Sequence, residues 1–279
     1  MRRIATPFDT TDDPPVADGA SIPRFRILGV PVNAIDLPTA VKQLTSLARL
    51  PQPSRIFVRE AASLMLAIDE PEYASLHETA TLIVPDGMPL VWIGRLRGFK
   101  STIGRVAGAD LLEAVCAASV KTGQSHFFYG GGPGIVEELV QNLNAQHPGL
   151  KIAGALTPPM IPSGPLTDIE ALIGTDIETI RQADPDFIWI GISSPKQEFL
   201  MEALGPLIGR GVFSGIGAAF NFHAGTIKRA PGWMRDYGFE WLYRLLKEPR
   251  RLWRRYIVLV PRFTIAVIAE QWAIFRGKK

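Results

Sequence analysis

Cysteine is nearly absent: Cys116 is the only one in 279 residues. No internal disulfide can form, a reducing compartment fits, and a place in the apolar helical run LLEAVCAASV makes a small buried side chain its expected role. The four histidines, His77, His126, His147 and His223, stand at no metal-ligand spacing to one another, so no metal centre is expected. The phosphate-loop pattern G-x-x-x-x-G-K-[ST] is missing, and so is a complete G-x-G-x-x-G. In the turn Gly130 to Gly134 the place of the final glycine falls to Ile135 or Glu137, depending on the frame. No nucleophile elbow, Cys/His pair or pair of carboxylates at motif spacing occurs either.

A clean membrane span is also lacking. Tyr256 to Phe275 has the length, but Pro261, Arg262, Glu270 and Gln271 interrupt it. A charge at mid-bilayer costs about 2.5–3.5 kcal/mol, so a segment lying in the interface is expected, with a buried core helix as the alternative. Residues 1–22 are polar, carry Pro14 and Pro15, and have no apolar core of a secretory signal; they read as a disordered lead-in.

What the chain does have is charge concentrated at one end. Lys and Arg number 30 and Asp and Glu 27; from Thr226 onward stand 13 and 4 of these, net +9, which leaves 17 and 23, net −6, for residues 1–225. An anionic surface or ligand is therefore met at the C-terminal end. There Trp233, Trp241 and Trp253 alternate with Arg244, Lys247, Arg250, Arg251, Arg254 and Arg255, a mixture suited to a boundary between apolar material and phosphate. The apolar sequel IVLVPRFTIAVIAEQWAIF has no use in a phosphodiester groove, so a membrane surface and not nucleic acid is the expected partner. The plainer alternative is a solvated basic helix with aromatics packed on the core.

In between, strand-like and helix-like runs alternate. Strands are expected at Phe25 to Asn33, Ser54 to Glu60, Ala80 to Val84, His126 to Tyr129, Lys151 to Ala155, Phe187 to Ile192 and Val212 to Phe220, and one helix is expected from Ala61 towards Glu78. Such alternation predicts an α/β chain with a doubly wound, mostly parallel, Rossmann-like sheet. Residues 23–225 would form this domain and 226–279 a helical appendage. Ligands of these sheets sit beyond the C-terminal strand ends, where four features fall. The glycine turn could admit a phosphate. Asp86, between Pro85 and Gly87, could act as a general base; it could equally be the N-cap of the next helix, which the residues alone favour. Ser193, Ser194, Lys196, Gln197 and Glu198 cluster at one helix start, where Ser as N-cap and Glu in the first turn would look the same. Asn221 and His223 close the set in a final turn.

The blocks VPDGMPLVW (Val84 to Trp92), GRVAGADLL (Gly104 to Leu112), FFYGGGPGIVEE (Phe127 to Glu138), DPDFIWIGISSPKQE (Asp184 to Glu198) and the stretch from Gly215 to Tyr256, with GVPVN at Gly29 to Asn33, resemble the WecG/TagA/CpsF family of bacterial glycosyltransferases. The resemblance covers residues 25–256 in order. It implies an inverting, metal-independent transferase without a cofactor, working in exopolysaccharide or cell-surface polysaccharide synthesis. The donor would be a UDP-sugar of glucose or N-acetylmannosamine type and the acceptor an undecaprenyl-diphosphate-linked sugar. The place would be peripheral, on the cytoplasmic face of the inner membrane, with homo-oligomers among related proteins. By motif, Asp86 matches the catalytic base, Arg105 and Gln197 pocket groups, and Arg244, Arg251 and Arg254 arginines holding a diphosphate. The remaining substrate-binding candidates are Asn33, Glu60, Gly131, Gly132, Gly134, Ser194, Lys196 and Asn221. Where many members carry a Thr-x-Asn pair after the second strand, this chain has Val58 and Glu60, which leaves the donor sugar open. Two rivals stand beside this expectation. One is a nucleotide-sugar oxidoreductase or epimerase, against which the broken fingerprint counts. The other is a non-catalytic peripheral membrane assembly factor.

Overall fold

The structure, a computed structural model, describes residues 22–277. The expected lead-in lies outside them except for Ile22, which is buried. Two strands, β1 (Arg24–Ile27) and β2 (Val30–Asn33), form an antiparallel hairpin. Phe25 to Asn33 is thus two strands and not one, because Leu28 and Gly29 both take positive φ, 52° and 85°, the geometry of a tight two-residue hairpin turn.

The main sheet contains β3 (Ser54–Arg59), β4 (Leu82–Pro85), β5 (Ser125–Gly130), β6 (Lys151–Leu156), β7 (Phe187–Gly191) and β8 (Val212–Gly215). They run in the order β4-β3-β8-β7-β5-β6, every pair parallel. Both faces of the central strands are covered, which is why β7, FIWIG, reads as an unbroken apolar run. Ile56, Phe128, Trp189 and Val212 point to one face, into a core shared with Leu44, Leu112 and Leu139. Phe57, Phe127, Ile188 and Phe213, one residue on or before, point to the other, against Leu64, Leu76, Ile177 and Leu200. The expected doubly wound α/β architecture is what forms.

Most strand ends shift by a residue or two, and two differences from expectation are larger. Ala61 to Glu78 is two helices, Ala61–Asp69 and Pro71–Thr79, because Pro71 cannot donate into the first helix and opens the second instead. The last strand stops at Gly215, and Ala219–His223 is a short helix where strand and turn were expected. Asn33 is buried and ties the hairpin to the sheet, its Oδ1 accepting Ile83 N at 2.8 Å on edge strand β4.

The C-terminal segment packs onto this body. A π-helical stretch, Arg254–Leu259, leads into the helix Val260–Gly277. Leu259, Phe263 and Val267 join the sheet's core. Arg262 forms a two-pronged pair with Asp69 at 2.8 and 2.9 Å, and Glu270 accepts Leu28 N at 2.9 Å while pairing with Arg97 at 2.5 Å. The helix spanning Pro249–Arg276 is long and apolar enough to cross a membrane, yet its charges at Arg262 and Glu270 are met by the body.

Close packing at the sheet centre is tested by one glycine. A Cβ on Gly191 would lie 2.6 Å from the ring of Phe220, itself fully buried. Overpacking of this kind costs about 1–3 kcal/mol. Gly191→Ala should lower the urea-unfolding free energy by that amount, and Gly191→Ala/Phe220→Leu should recover part of it.

Candidate active site

A cavity of about 430 Å³ opens beyond the C-terminal ends of β3, β4, β7 and β8, within the range of about 300–1,000 Å³ usual for small-molecule sites. Its floor is polar and fully buried. Arg59, the last residue of β3, and Glu198, in the helix after β7, have no exposed side-chain surface and pair at 2.7 Å. Glu198 Oε1 also accepts from Ser194 Oγ and Gln197 Nε2, each at 2.8 Å. Arg59 Nε donates to His77 Nε2 at 3.1 Å, so His77 is the neutral tautomer whose Nδ1 donates to Tyr73 O at 2.9 Å. Burial and the neighbouring Arg59 push its pKa down to about 3. Glu198 is thus a first-turn acid of this helix, as expected, and also the ion-pair partner of Arg59. Ser194 is not an N-cap: Pro195 holds that position, with no side-chain cap.

Asp86 stands on the wall beside β4. The helix that follows, Met88–Leu96, is capped by Gly87 without a side-chain bond, so the Asp86 carboxylate is not spent on capping and the N-cap alternative falls. About a third of its side chain is exposed, at 33%, and its Oδ1 lies 3.9 Å from Arg105 Nη2. Burial pushes its pKa up to about 6; Arg105 opposes the rise, while Glu240 and Glu60 add to it. Arg105 is held from three sides: Nε donates to Asp86 O at 2.9 Å, Nη1 to Arg235 O at 3.3 Å, and Nη2 to Glu240 Oε2.

Glu60 caps the helix Ala61–Asp69 through Ala62 N and Ser63 N at 2.9 and 2.8 Å. It also receives Arg255 Nη2 at 2.8 Å. Burial works to raise its pKa, but Arg255 and the two amides outweigh it and hold the carboxylate below its ordinary range. The C-terminal segment closes the cavity with Trp241, Arg244, Arg251, Arg255 and Tyr256, and Arg229 joins from the preceding loop.

Asp86, Glu60, Arg105, Ser194, Gln197, Arg244 and Arg251 thus share one cavity. Asn33, Lys196, Asn221 and Arg254 do not line it. Asn33 holds β4, Lys196 is half-buried with its Nζ 3.8 Å from Met160 Sδ, Asn221 accepts from Thr226, and Arg254 faces out. Gly131, Gly132 and Gly134 stand one strand further on, past β5, outside the walls. Steric need accounts for their neighbour Gly130, where φ is 152° and a Cβ would sit 2.6 Å from Gly191 N. His223 is structural, its Nε2 3.0 Å from Ala109 O. Sequence reasoning missed Arg229, Glu240, Arg255 and Tyr256. Arg244 and Arg251 lie on two short helices, Glu240–Lys247 and Pro249–Trp253, that break at Glu248, so spacing along one helix could not have grouped the arginines.

Removing one partner of a buried ion pair costs about 3–5 kcal/mol, whereas replacing both with apolar groups is often neutral. Arg59→Met should therefore lose stability of that order in urea unfolding at pH 7, and Arg59→Met/Glu198→Met should regain most of it. An equal loss in both variants would show that the pair itself is not what holds the floor.

The comparisons with known proteins bear on this site as a whole. The chain is similar to an N-acetylglucosaminyldiphosphoundecaprenol N-acetyl-beta-D-mannosaminyltransferase of Bacillus spizizenii, 30% identical over 207 residues that cover 74% of this chain and 76% of the relative. A protein of the same description from Bacillus subtilis strain 168 is 28% identical over 205 residues, covering 74% and 75%. The glycosyl transferase WecG/TagA/CpsF family matches residues 25–277. With a match over nearly its whole length, the chain belongs to that family and is a glycosyltransferase.

Proposed function

We propose that this glycosyltransferase moves a sugar, of N-acetylmannosamine or glucose type, from a UDP-linked donor to a sugar carried on undecaprenyl diphosphate, in the assembly of an exopolysaccharide or other surface polysaccharide. The relatives' descriptions name such a lipid-diphosphate acceptor and an N-acetylmannosaminyl group. The observation that carries the reading is Asp86, a carboxylate poised near pH 6 in a cavity walled by Arg105, Arg229, Arg244, Arg251 and Arg255.

In this reading Asp86 takes the proton from the acceptor hydroxyl as its oxygen attacks the anomeric carbon. The bond from that carbon to the diphosphate oxygen breaks on the opposite face, so configuration inverts. UDP departs with the electron pair, and its growing charge meets the arginines, whose preorganised donors stabilise it in a partly dry site. The appendage completes the cavity, so its seating at the membrane would tie turnover to the arrival of the lipid-linked acceptor.

A base must be ionised to work, so kcat/KM should rise with pH through about 6, the value to which Asp86 is pushed. Asp86→Asn should cut kcat by about 10²–10⁴-fold, the usual share of general-base catalysis, while UDP binding by calorimetry stays unchanged. Turnover near that of the parent chain would sink the base assignment.

Membrane attachment is the second part of the reading. Ile265, Ile268 and Trp272 follow one another at helical spacing and are exposed at 70%, 63% and 58%, opposite the face that carries Phe263 and Val267 into the core. Exposed Arg250, Arg254 and Lys247 lie nearby in sequence, placed to meet anionic head groups while the apolar face enters the interface. Replacing Ile265, Ile268 and Trp272 with Ser should leave the fold intact and release the protein from anionic phospholipid vesicles in a sedimentation assay. Undiminished sedimentation would refute this anchoring.

A further inference from the structure

Arg105 Nη2 faces two carboxylates at once. It bonds to Glu240 Oε2 and stays 3.9 Å from Asp86 Oδ1. Glu240 belongs to the helix Glu240–Lys247 of the C-terminal segment, and its other oxygen, Oε1, lies 3.7 Å from Arg229 Nε. Arg229 in turn is anchored to Asp110 at 2.7 Å. Glu240 is thus pinned on one side and holds Arg105 with the other. The remaining bonds of Arg105, to the carbonyls of Asp86 and Arg235, keep its guanidinium beside the Asp86 carboxylate whichever acid it pairs with.

We propose that Glu240 is a positioning residue for this site: by engaging Arg105 it prevents that arginine from closing on Asp86, and so keeps the Asp86 carboxylate free for the acceptor hydroxyl. The proposal rests on Asp86 being the base. Asp86 accounts for this need chemically. A carboxylate clamped by a guanidinium is a weak base with its lone pairs occupied, and an arginine within about 4–6 Å lowers a carboxyl by about 1–3 pH units. The other charged and titratable groups acting on Asp86 come from the surrounding elements: Glu60 just after β3, Arg229 at the start of the appendage, and Arg255 and Tyr256 in the π-helical stretch. Of these, Glu60 is already matched by Arg255 at 2.8 Å, which leaves Arg105 as the cation whose partner decides the state of Asp86.

The test is the pH dependence of turnover for the full chain and for Glu240→Gln, Glu240→Asp, Arg105→Gln and Arg105→Gln/Glu240→Gln, with UDP calorimetry to check that each variant folds and binds. In Glu240→Gln the acid limb of kcat/KM should move down by about one pH unit. Plateau kcat should fall about tenfold, since a small misplacement of a reacting group is costly, with the donor KM within about twofold of the parent's. Glu240→Asp, shorter in reach by one methylene, should show a smaller change of the same kind, and it carries the test if the Gln variant does not fold. With Arg105 already replaced, Glu240→Gln should have little further effect on plateau kcat, because the two residues act through one contact. Equal losses with and without Arg105, a raised KM at unchanged kcat, or no change at all would each overturn the proposal. Asp86→Asn keeps the two questions apart. Its retained turnover would remove the base, whereas a dead Asp86→Asn beside an unaltered Glu240→Gln would remove only the role of Glu240.

Discussion

Arg59 and Glu198 meet where neither has any contact with water, and most of the cavity's architecture follows from what that pairing demands. Taking both ions out of solvent is expensive, and mutual attraction repays it only if the remaining donors and acceptors are engaged. Here Ser194 and Gln197 share Glu198 Oε1 with Arg59, and His77 takes Arg59 Nε, while Glu198 Oε2 has no hydrogen-bond partner among the described residues. The two ions come from strand ends that are not neighbours, because β8 lies between β3 and β7. The pair therefore bridges across β8, and the end of β8 must be bare to let it. Gly215 makes it so: a Cβ there would come within 2.8 Å of Gln197 Nε2. A charge pair, an amide and a missing side chain together form one floor.

From that floor the polar groups rise as two short charge chains that bind the appendage to the sheet. One runs from Asp110 through Arg229, Glu240 and Arg105 towards Asp86. The other is Glu60 with Arg255. In the pairs Asp110 with Arg229 and Glu60 with Arg255 an acid of the sheet body faces an arginine of the segment after residue 225, in line with the net +9 and −6 on the two parts of the sequence, whereas Glu240 with Arg105 runs the other way. The long terminal helix is held differently, by Leu259, Phe263 and Val267 in the core, with Arg262 and Glu270 paired to the body at its edges. Charge thus completes the cavity, and apolar burial fixes the helix beside it.

The parts of this arrangement that periodicity controls were legible in the residues. Alternating runs such as FIWIGI gave the parallel sheet, the rule that ligands sit at C-terminal strand ends brought Asp86, Ser194 and Gln197 to one place, and Arg105 joined them by the family motif alone. Conformations decided by a single residue were not. Pro71 divides a helix, the positive φ of Leu28 turns one run into a hairpin, and Gly215 ends a strand that composition would continue to Phe220. Nor can a sequence show which partner a charged side chain takes. Glu198 is the first-turn acid it looks like, but its partner Arg59 beneath it is not legible, and Glu240 looks like one acid among many bases until Arg105 is found in its grip. The first glycine of the turn shows the same limit. Gly130 answers a clash with Gly191, a demand invisible without the neighbouring strand.

The departure at Val58 and Glu60 from the pattern of many family members acquires a reason in the same terms. A carboxylate at the cavity wall must be neutralised, and Glu60 is: two amides of the helix it caps and the guanidinium of Arg255 converge on it. An Asn at this position could accept the amides but would leave Arg255 without an anion, free to turn towards a phosphate. Glu60 therefore sets how much of the positive charge at the mouth is already spent inside the protein. Arg244 and Arg251 are less committed, their partner in the segment being Glu248 at 4.0 and 2.7 Å. Of the arginines round this cavity they are the ones whose carboxylate partner lies within the appendage alone, although Arg244 also stacks over the Phe222 ring of the body at 5.5 Å.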